Sequence, residues 1–309
     1  MKELPLKCPC NEKATLLDCG DSYKCSNQTC IHNKRKFQLI EKKPILISEE
    51  KTDTIFESKD AISYVSRSSY KVTRLKNFFI GESPITKKNA LRFVNDIFSL
   101  SEKPKVLVIG GSEKGSGTEA IYDNPDIELH AVDIYASELV DLVCDAHYLP
   151  LDSDFYDGVW IQAVLEHVVE PRKVVAEIYR VLKHGGIVYA ETPFMQQVHE
   201  GAYDFTRYTV LGHRYLFKEF EKIDIGGNKG PEVVLAWSIK YLIWGISRNR
   251  KVAQMASVLF SFLLRPFGYF VSDAAMYDAS SGVYFLGRKG SKQQLTHKAL
   301  VGLYKGQIK

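Results

Sequence analysis

The residues with the clearest capacity for chemistry are cysteines, and five of the six lie within the first 30 positions. Cys8-Pro9-Cys10 and Cys25-Ser26-Asn27-Gln28-Thr29-Cys30 form two pairs separated by 14 residues, a layout that can bring four thiolates around one tetrahedral Zn²⁺. The gaps are one residue in the first pair and four in the second, where two is usual. Cys19 is a fifth candidate ligand, and His32 could replace Cys30. A metal-free reduced cluster is one alternative, and disulfides would be another in an exported protein. Met1 to Cys10 has no apolar stretch of the kind a signal peptide needs, so structural zinc is the expectation.

A second set of residues could cradle a ligand. Val106-Leu107-Val108-Ile109 is an apolar run that ends in Gly110-Gly111-Ser112, followed by Gly115 and Gly117. Glycine suits such a turn because a side chain would block a ligand approaching the backbone or forbid a positive φ. Leu129-His130-Ala131-Val132-Asp133-Ile134 then places Asp133 at the end of a second apolar run, 23 residues after Gly110. An acid at that distance can accept both hydroxyls of a ribose. Nicotinamide-dependent oxidoreductases use a similar turn, but the motifs after Asp133 do not match theirs.

The elements that must position these groups follow a strand, turn, helix rhythm. Lys105–Ile109, Leu129–Ile134, Leu142–Cys144, Gly158–Ile161 and Ile187–Ala190 read as strands of a parallel sheet covered on both faces. A helix starts at Pro171, buries Val174, Val175, Ile178, Val181 and Leu182, and stops before Gly185-Gly186. Upstream, Leu91, Val94, Ile97 and Phe98 recur at helical spacing. The expected fold is α/β: a Rossmann-like, doubly wound, mostly parallel sheet, with a small N-terminal zinc ribbon and a helical C-terminal cap. The expected domains are a ribbon over 1–51, a helical connector over 52–101, and a main domain over 102–309 whose cap spans about 235–275.

Residues 104–208 resemble class I S-adenosylmethionine-dependent methyltransferases. The resemblance rests on the turn above and on Asp145-Ala146-His147-Tyr148-Leu149-Pro150-Leu151, Phe155-Tyr156-Asp157-Gly158-Val159, Val164-Leu165-Glu166-His167-Val168 and Glu177-Ile178-Tyr179-Arg180-Val181-Leu182-Lys183-His184-Gly185-Gly186, in that order. It implies that Gly110, Gly111 and Ser112 line the methionine and ribose of the cofactor, and that Asp133, with Ile134 beside it, holds the ribose. Asp145 and Ala146 would address the adenine, and Gln162 would face the methionine. Two departures are visible: Val108 stands where the family often has an acid, and the chain runs only 12 residues from Asp133 to Asp145, so the intervening helix must be reduced or missing. Residues 8–47 resemble the zinc-binding ribbon of small methyltransferase-activator proteins, where the metal is structural.

Methyl transfer from a sulfonium is an in-line displacement that needs alignment and exclusion of water, and a hydroxyl acceptor also benefits from a general base. Candidate catalytic groups are His167, His199 and Asp204, all on the ligand-binding edge of the expected sheet. Arg207 could clamp an anionic substrate, with Tyr208 beside it, whereas His213 and Arg214 read as structural. Pro193 to Tyr208 is similar to the corresponding segment in methyltransferases of glycans, lipid-linked saccharides and specialised small molecules. O-methylation of a sugar, a lipid-linked saccharide or another small molecule is therefore the first expectation. An RNA base methyltransferase and a non-catalytic partner-binding protein with a degenerate cofactor pocket are the alternatives.

The net charge of +4 is unevenly spread: residues 240–309 carry 11 Lys/Arg against 2 Asp/Glu, and residues 1–51 carry 10 against 7. The modest excess in the N-terminal segment falls short of a nucleic-acid-binding patch. The basic, apolar C-terminal region suits contact with an anionic membrane surface. Val252 to Leu264 is too short to span one, so the expected location is cytoplasmic, peripheral to the membrane.

Overall fold

The computed structural model describes residues 3–10, 13–48, 83–290 and 295–307, so the part of the expected connector over 52–82 lies outside the described residues. The N-terminal unit is a four-stranded antiparallel sheet of short strands, β1 (Leu16–Asp18), β2 (Ser22–Cys25), β3 (Lys36–Ile40) and β4 (Lys43–Pro44), in the order β1-β2-β3-β4. Its interior consists of little beyond Phe37, Leu46 and four buried cysteines, too small a core to hold such a unit together alone.

Helix α1 (Pro84–Phe98) starts where Ser83 caps it, accepting from the Thr86 backbone N–H, with Pro84 in the first turn. It buries Ala90, Phe93, Val94 and Ile97 against Trp160 and Val106 of the main sheet. Leu91, assigned to the buried face by its spacing, is 51% exposed, because the stripe that packs is centred one residue earlier.

The main sheet has seven strands: β5 (Lys105–Ile109), β6 (Glu128–Asp133), β7 (Leu142–Val143), β8 (Tyr156–Gln162), β9 (Leu182–Pro193), β10 (Glu221–Gly227) and β11 (Gly282–Arg288). Their order is β10-β11-β9-β8-β5-β6-β7; the five from β5 to β9 are parallel, and β11 runs antiparallel between β9 and β10. Helices α2 (Glu119–Tyr122), α3 (Pro171–Val181) and α4 (Val210–Leu216) belong to its connections and faces. No helix separates β6 from β7, as the short spacing between Asp133 and Asp145 requires. Gly185-Gly186 does not close α3: the helix passes directly into β9 at Leu182, and Gly185, with φ +83°, sits inside that longer strand.

Between β10 and β11 the chain leaves the sheet for α5 (Pro231–Ser247), α6 (Arg250–Leu264) and α7 (Asp273–Ala279); a last helix, α8 (His297–Val301), follows β11. Among the described residues no helix is long and apolar enough to cross a membrane.

Candidate functional site

In the sheet order β5 lies between β6 and β8, so the chain winds outward from it in both directions and a crevice opens beyond the strands' carboxyl ends. A cavity of about 360 Å³ occupies it, lined by Gly110, Ser112, Asp133, Ile134, Asp145 and Ala146 of the expected cofactor set, and by His167 and His199. Gly110 has φ +78°, and a Cβ there would stand 2.2 Å from Val164 Cγ2, so both backbone conformation and space demand glycine.

Asp133 is fixed by two backbone donors: the Ser112 N–H bonds Oδ2 at 3.0 Å and the Tyr135 N–H bonds Oδ1 at 3.1 Å. A carboxylate oxygen has two lone pairs, so each can accept a further bond from a ligand in the cavity. Asp145 accepts from the backbone N–H of His147 at 2.9 Å and from its ring Nδ1 at 2.6 Å. His147 Nε2 accepts from the Glu170 N–H at 3.2 Å, which assigns the ring proton to Nδ1. Ala163, just past β8, lines the cavity with φ +54°, a left-handed conformation held by its N–H bond to the Glu191 carbonyl at 2.9 Å.

Not every expected residue reaches this cavity. Gly111 packs instead against β6, where a Cβ would meet Ala131 Cβ at 2.8 Å. Gln162 turns beneath the glycine-rich turn, accepting from Trp160 Nε1 at 3.3 Å and donating to the Ser116 carbonyl at 3.4 Å. Val108 is buried in the core. Tyr208 packs at a tilt against His213, with ring centroids 5.8 Å apart, and Glu200 and Tyr203 line the cavity from the same loop in its place. Cys144 and His147 also line it; their adjacency to Asp145 is the sequence signal that could have found them.

The acid–base candidates converge. The turn Leu165–His167 after β8 and the turn Gly201–Tyr203 after β9 bring His167 and His199 face to edge, with centroids 4.8 Å apart. His167 Nδ1 donates to the Tyr203 carbonyl at 2.7 Å, and His199 Nδ1 lies 3.3 Å from Asp204 Oδ2. Asp204 is gripped by both terminal nitrogens of Arg207, which pulls its pKa down to about 2. Arg207 is fully engaged, since its remaining bonds go to the Gln196, Gln197 and Thr206 carbonyls, so it orders the loop and presents no free fork to a substrate. Between the two histidines sits Glu166, whose burial raises its pKa to about 8. Burial, with His167 nearby, holds His199 below its ordinary value. His213 and Arg214 are buried, Arg214 bonding the Phe217 and Phe220 carbonyls just beyond the end of α4.

The cysteines gather as well: one thiol sulfur from each of Cys8, Cys10, Cys25 and Cys30 lies within 4.8 Å of the others, and all four residues are buried. Cys19 is exposed and directed to the Leu17 carbonyl, and His32 Nε2 is 3.0 Å from Ser48 Oγ, so neither joins the set. The N-terminal unit is joined to the segment that carries Asp145. Leu46 N–H bonds the Val143 carbonyl at 2.8 Å, Lys7 N–H bonds that of Pro150 at 2.8 Å, and Asp152 N–H bonds that of Pro5 at 2.9 Å.

Residues 110–190, which contain most of this cavity wall, match the methyltransferase domain family. Over this segment the chain is similar to methyltransferase domains. A 60-residue stretch of the chain is 51% identical to a demethylmenaquinone methyltransferase of Clavibacter sepedonicus, covering 18% of this chain and 24% of that protein, so the match spans about a quarter of the curated relative. Among solved structures, phosphoethanolamine N-methyltransferase 2 of Haemonchus contortus is similar at 15% identity and a TM-score of 0.44, over 66% of this chain and 53% of that one. Geranyl diphosphate C-methyltransferase of Streptomyces coelicolor is similar at 12% identity and a TM-score of 0.42, over 65% of this chain and 80% of that one.

Proposed function

We propose that the protein methylates a hydroxyl of a small molecule, in the class of sugars and lipid-linked saccharides, with S-adenosylmethionine as donor. The observation that carries the reading is the cavity at the switch point of the sheet, where Asp133 and Asp145 are held by backbone donors and the histidines stand at the same opening. In this reading Gly110, Ser112, Asp133 and Ile134 hold the ribose and methionine, Asp145 and Ala146 hold the adenine, and the acceptor enters beside His167 and His199. S-adenosylmethionine supplies an electrophilic methyl; the residues of this chain align the acceptor with it and assist loss of the acceptor's proton. The test is calorimetric titration with S-adenosylmethionine and S-adenosylhomocysteine, repeated on Asp133→Ala. Labelled-methyl transfer to a panel of sugars, lipid-linked saccharides and demethylmenaquinone, the substrate in the relative's name, follows. Binding that Asp133→Ala abolishes supports the reading; a folded protein that binds neither compound refutes it.

Two further parts belong to the proposal. The four cysteines are assigned to one structural Zn²⁺ in a ribbon domain over 1–51. The sulfurs of Cys8 and Cys30 are 3.8 Å apart, matching the edge of about 3.8 Å that a tetrahedron with Zn–S bonds of ~2.3 Å requires. The hairpin of α5 and α6 is assigned to contact with an anionic membrane surface. It exposes Leu242, Ile246, Met255 and Phe262, with Phe267 and Phe270 beyond it, beside exposed Arg248, Arg250, Lys251 and Arg265. Co-sedimentation with vesicles containing anionic lipid, and none with neutral vesicles, is the expected result, reduced by Arg250→Glu with Lys251→Glu.

A further inference from the structure

Glu166 stands out among the buried charges of this molecule. Its side chain is fully buried, and neither carboxylate oxygen has a hydrogen-bond partner among the described residues. Leaving both oxygens so is costly unless something absent from the polypeptide satisfies them. The surroundings indicate what that is. Glu166 Oε1 lies 3.7 Å from His167 Nε2 and 3.9 Å from His199 Nε2, and one ligand atom from each of the three residues lies within 4.8 Å of the others. Both ring nitrogens that face away are committed: His167 Nδ1 donates to a carbonyl, and His199 Nδ1 faces Asp204, which Arg207 holds in place. A neutral imidazole with its proton on Nδ1 presents a lone pair at Nε2, so two nitrogens and, once a cation displaces any proton from Glu166, one carboxylate oxygen converge as electron-pair donors on one point.

From this geometry we infer that Glu166, His167 and His199 form a binding site for a divalent transition-metal cation at the acceptor end of the cavity. Bonds of about 2.1 Å would place cis ligands roughly 3.0–3.4 Å apart, so the spacings of 3.7 and 3.9 Å from Glu166 to the two histidines would close by roughly 0.3–0.9 Å on an ion, with the imidazoles drawing together as well. Two histidines and one carboxylate on one side of an ion leave its other positions open, and the side chains of His167 and His199 are 22% and 29% exposed toward the cavity they line. The inference rests on the methyl-transfer reading for its purpose. An acceptor hydroxyl bound at an open position loses its proton to solvent more readily, its oxygen forms the new O–C bond as the S–C bond breaks, and a neutral thioether leaves. On this account His167 and His199 act as ligands, and Asp204 is a positioning residue that orients His199.

Mn²⁺ is the probe, because thiolate sites disfavour it and the cysteine cluster therefore does not compete. The full-length protein, purified with its cysteine site filled with zinc, is titrated with Mn²⁺ and the free ion is followed by electron paramagnetic resonance. One Mn²⁺ per chain is expected. Glu166→Gln and His199→Ala should weaken it at least tenfold, and Asp204→Asn about tenfold. Retained zinc and S-adenosylhomocysteine binding report that each variant is folded. No Mn²⁺ bound by the wild type, or binding unchanged in Glu166→Gln and His199→Ala, overturns the site. The two readings fail separately: a protein that binds S-adenosylhomocysteine but not Mn²⁺ overturns the cation site alone, and one that binds Mn²⁺ but not S-adenosylhomocysteine overturns the methyl-transfer reading.

Discussion

Among the described residues metal-type ligands gather twice, and the two gatherings differ in donor chemistry and in enclosure. Cys8, Cys10, Cys25 and Cys30 are four soft donors of one kind, all buried, inside a unit with almost no other core. Glu166, His167 and His199 are three harder donors, one buried and two partly open to a cavity within a large, well-packed domain. A closed tetrahedral set has no position left for a reactant and can serve only the fold, whereas an incomplete set beside a cavity can serve a reaction. Losing ligands should therefore cost structure in the first region and chemistry in the second.

The largest effect tests the closed cluster. Cys8→Ser combined with Cys25→Ser should abolish zinc binding, which in small zinc-dependent units contributes on the order of 10 kcal/mol. The N-terminal sheet should then unfold, read as lost zinc stoichiometry and an early thermal transition. Because residues 143–152 are bonded to that unit along both edges, S-adenosylhomocysteine affinity should fall at least tenfold. Unchanged affinity would show that the two regions are energetically independent.

Next in size are substitutions within the cavity. Asp133→Ala removes a charged acceptor for two hydroxyls, each such bond being worth roughly 1.5–3 kcal/mol, so S-adenosylhomocysteine should bind about 100-fold or more weakly. His199→Ala should leave that affinity within about twofold while lowering methyl transfer by roughly 10²-fold or more. If both variants lose cofactor affinity equally, the cavity does not divide into a cofactor end and an acceptor end.

Which parts were legible in the sequence follows from the physics of each. The strands of β5 and β8 are continuous apolar runs because the sheet is covered on both faces, and that pattern needs no partner to be seen. Asp133 was legible because its position at the end of a strand sets its direction. β10 and β11 were not: β10 mixes Glu221, Lys222 and Asp224 with its apolar residues, as an edge strand does, and the partner that defines it returns only after 54 intervening residues. The Glu166 cluster was half legible, since Glu166-His167 and His199 were visible as residues, but their convergence depends on where the loop after β9 folds back. Arg207 shows the opposite error. A free guanidinium and one saturated by Asp204 and three carbonyls look alike in a sequence.

A third histidine supplies a control. His213 is fully buried, 3.0 Å from Thr192 Oγ1, and has no carboxylate within salt-bridge distance among the described residues; burial lowers its pKa to about 3. Its neutral form is the one the fold accepts, so its contribution is complete above the unfolded value of about 6.5 and is lost as the pH falls toward 3, amounting to a few kcal/mol. His213→Gln cannot titrate, and its acid-unfolding midpoint by circular dichroism should lie below that of the wild type. Coincident midpoints would mean that the wild-type imidazole escapes to solvent before it protonates.

The smallest predicted effect separates backbone pairing from charge as the link between the two regions. Lys13 of the N-terminal unit reaches the Leu149 carbonyl at 2.9 Å and Glu177 of α3 at 3.1 Å, and burial lowers its pKa. Removing one partner of a buried pair is usually expensive because the other charge is stranded. Here it is not stranded, since Arg180 already bonds both Glu177 oxygens, at 2.8 and 2.9 Å, and the Leu149 carbonyl, at 2.9 Å. Lys13→Met should therefore cost only about 1 kcal/mol, a shift of roughly 2–4 °C in Tm, and leave S-adenosylhomocysteine affinity within twofold. A tenfold loss of affinity in Lys13→Met, with zinc retained, would place the coupling in this ion pair and not in the strand-like bonds at Lys7, Leu46 and Asp152.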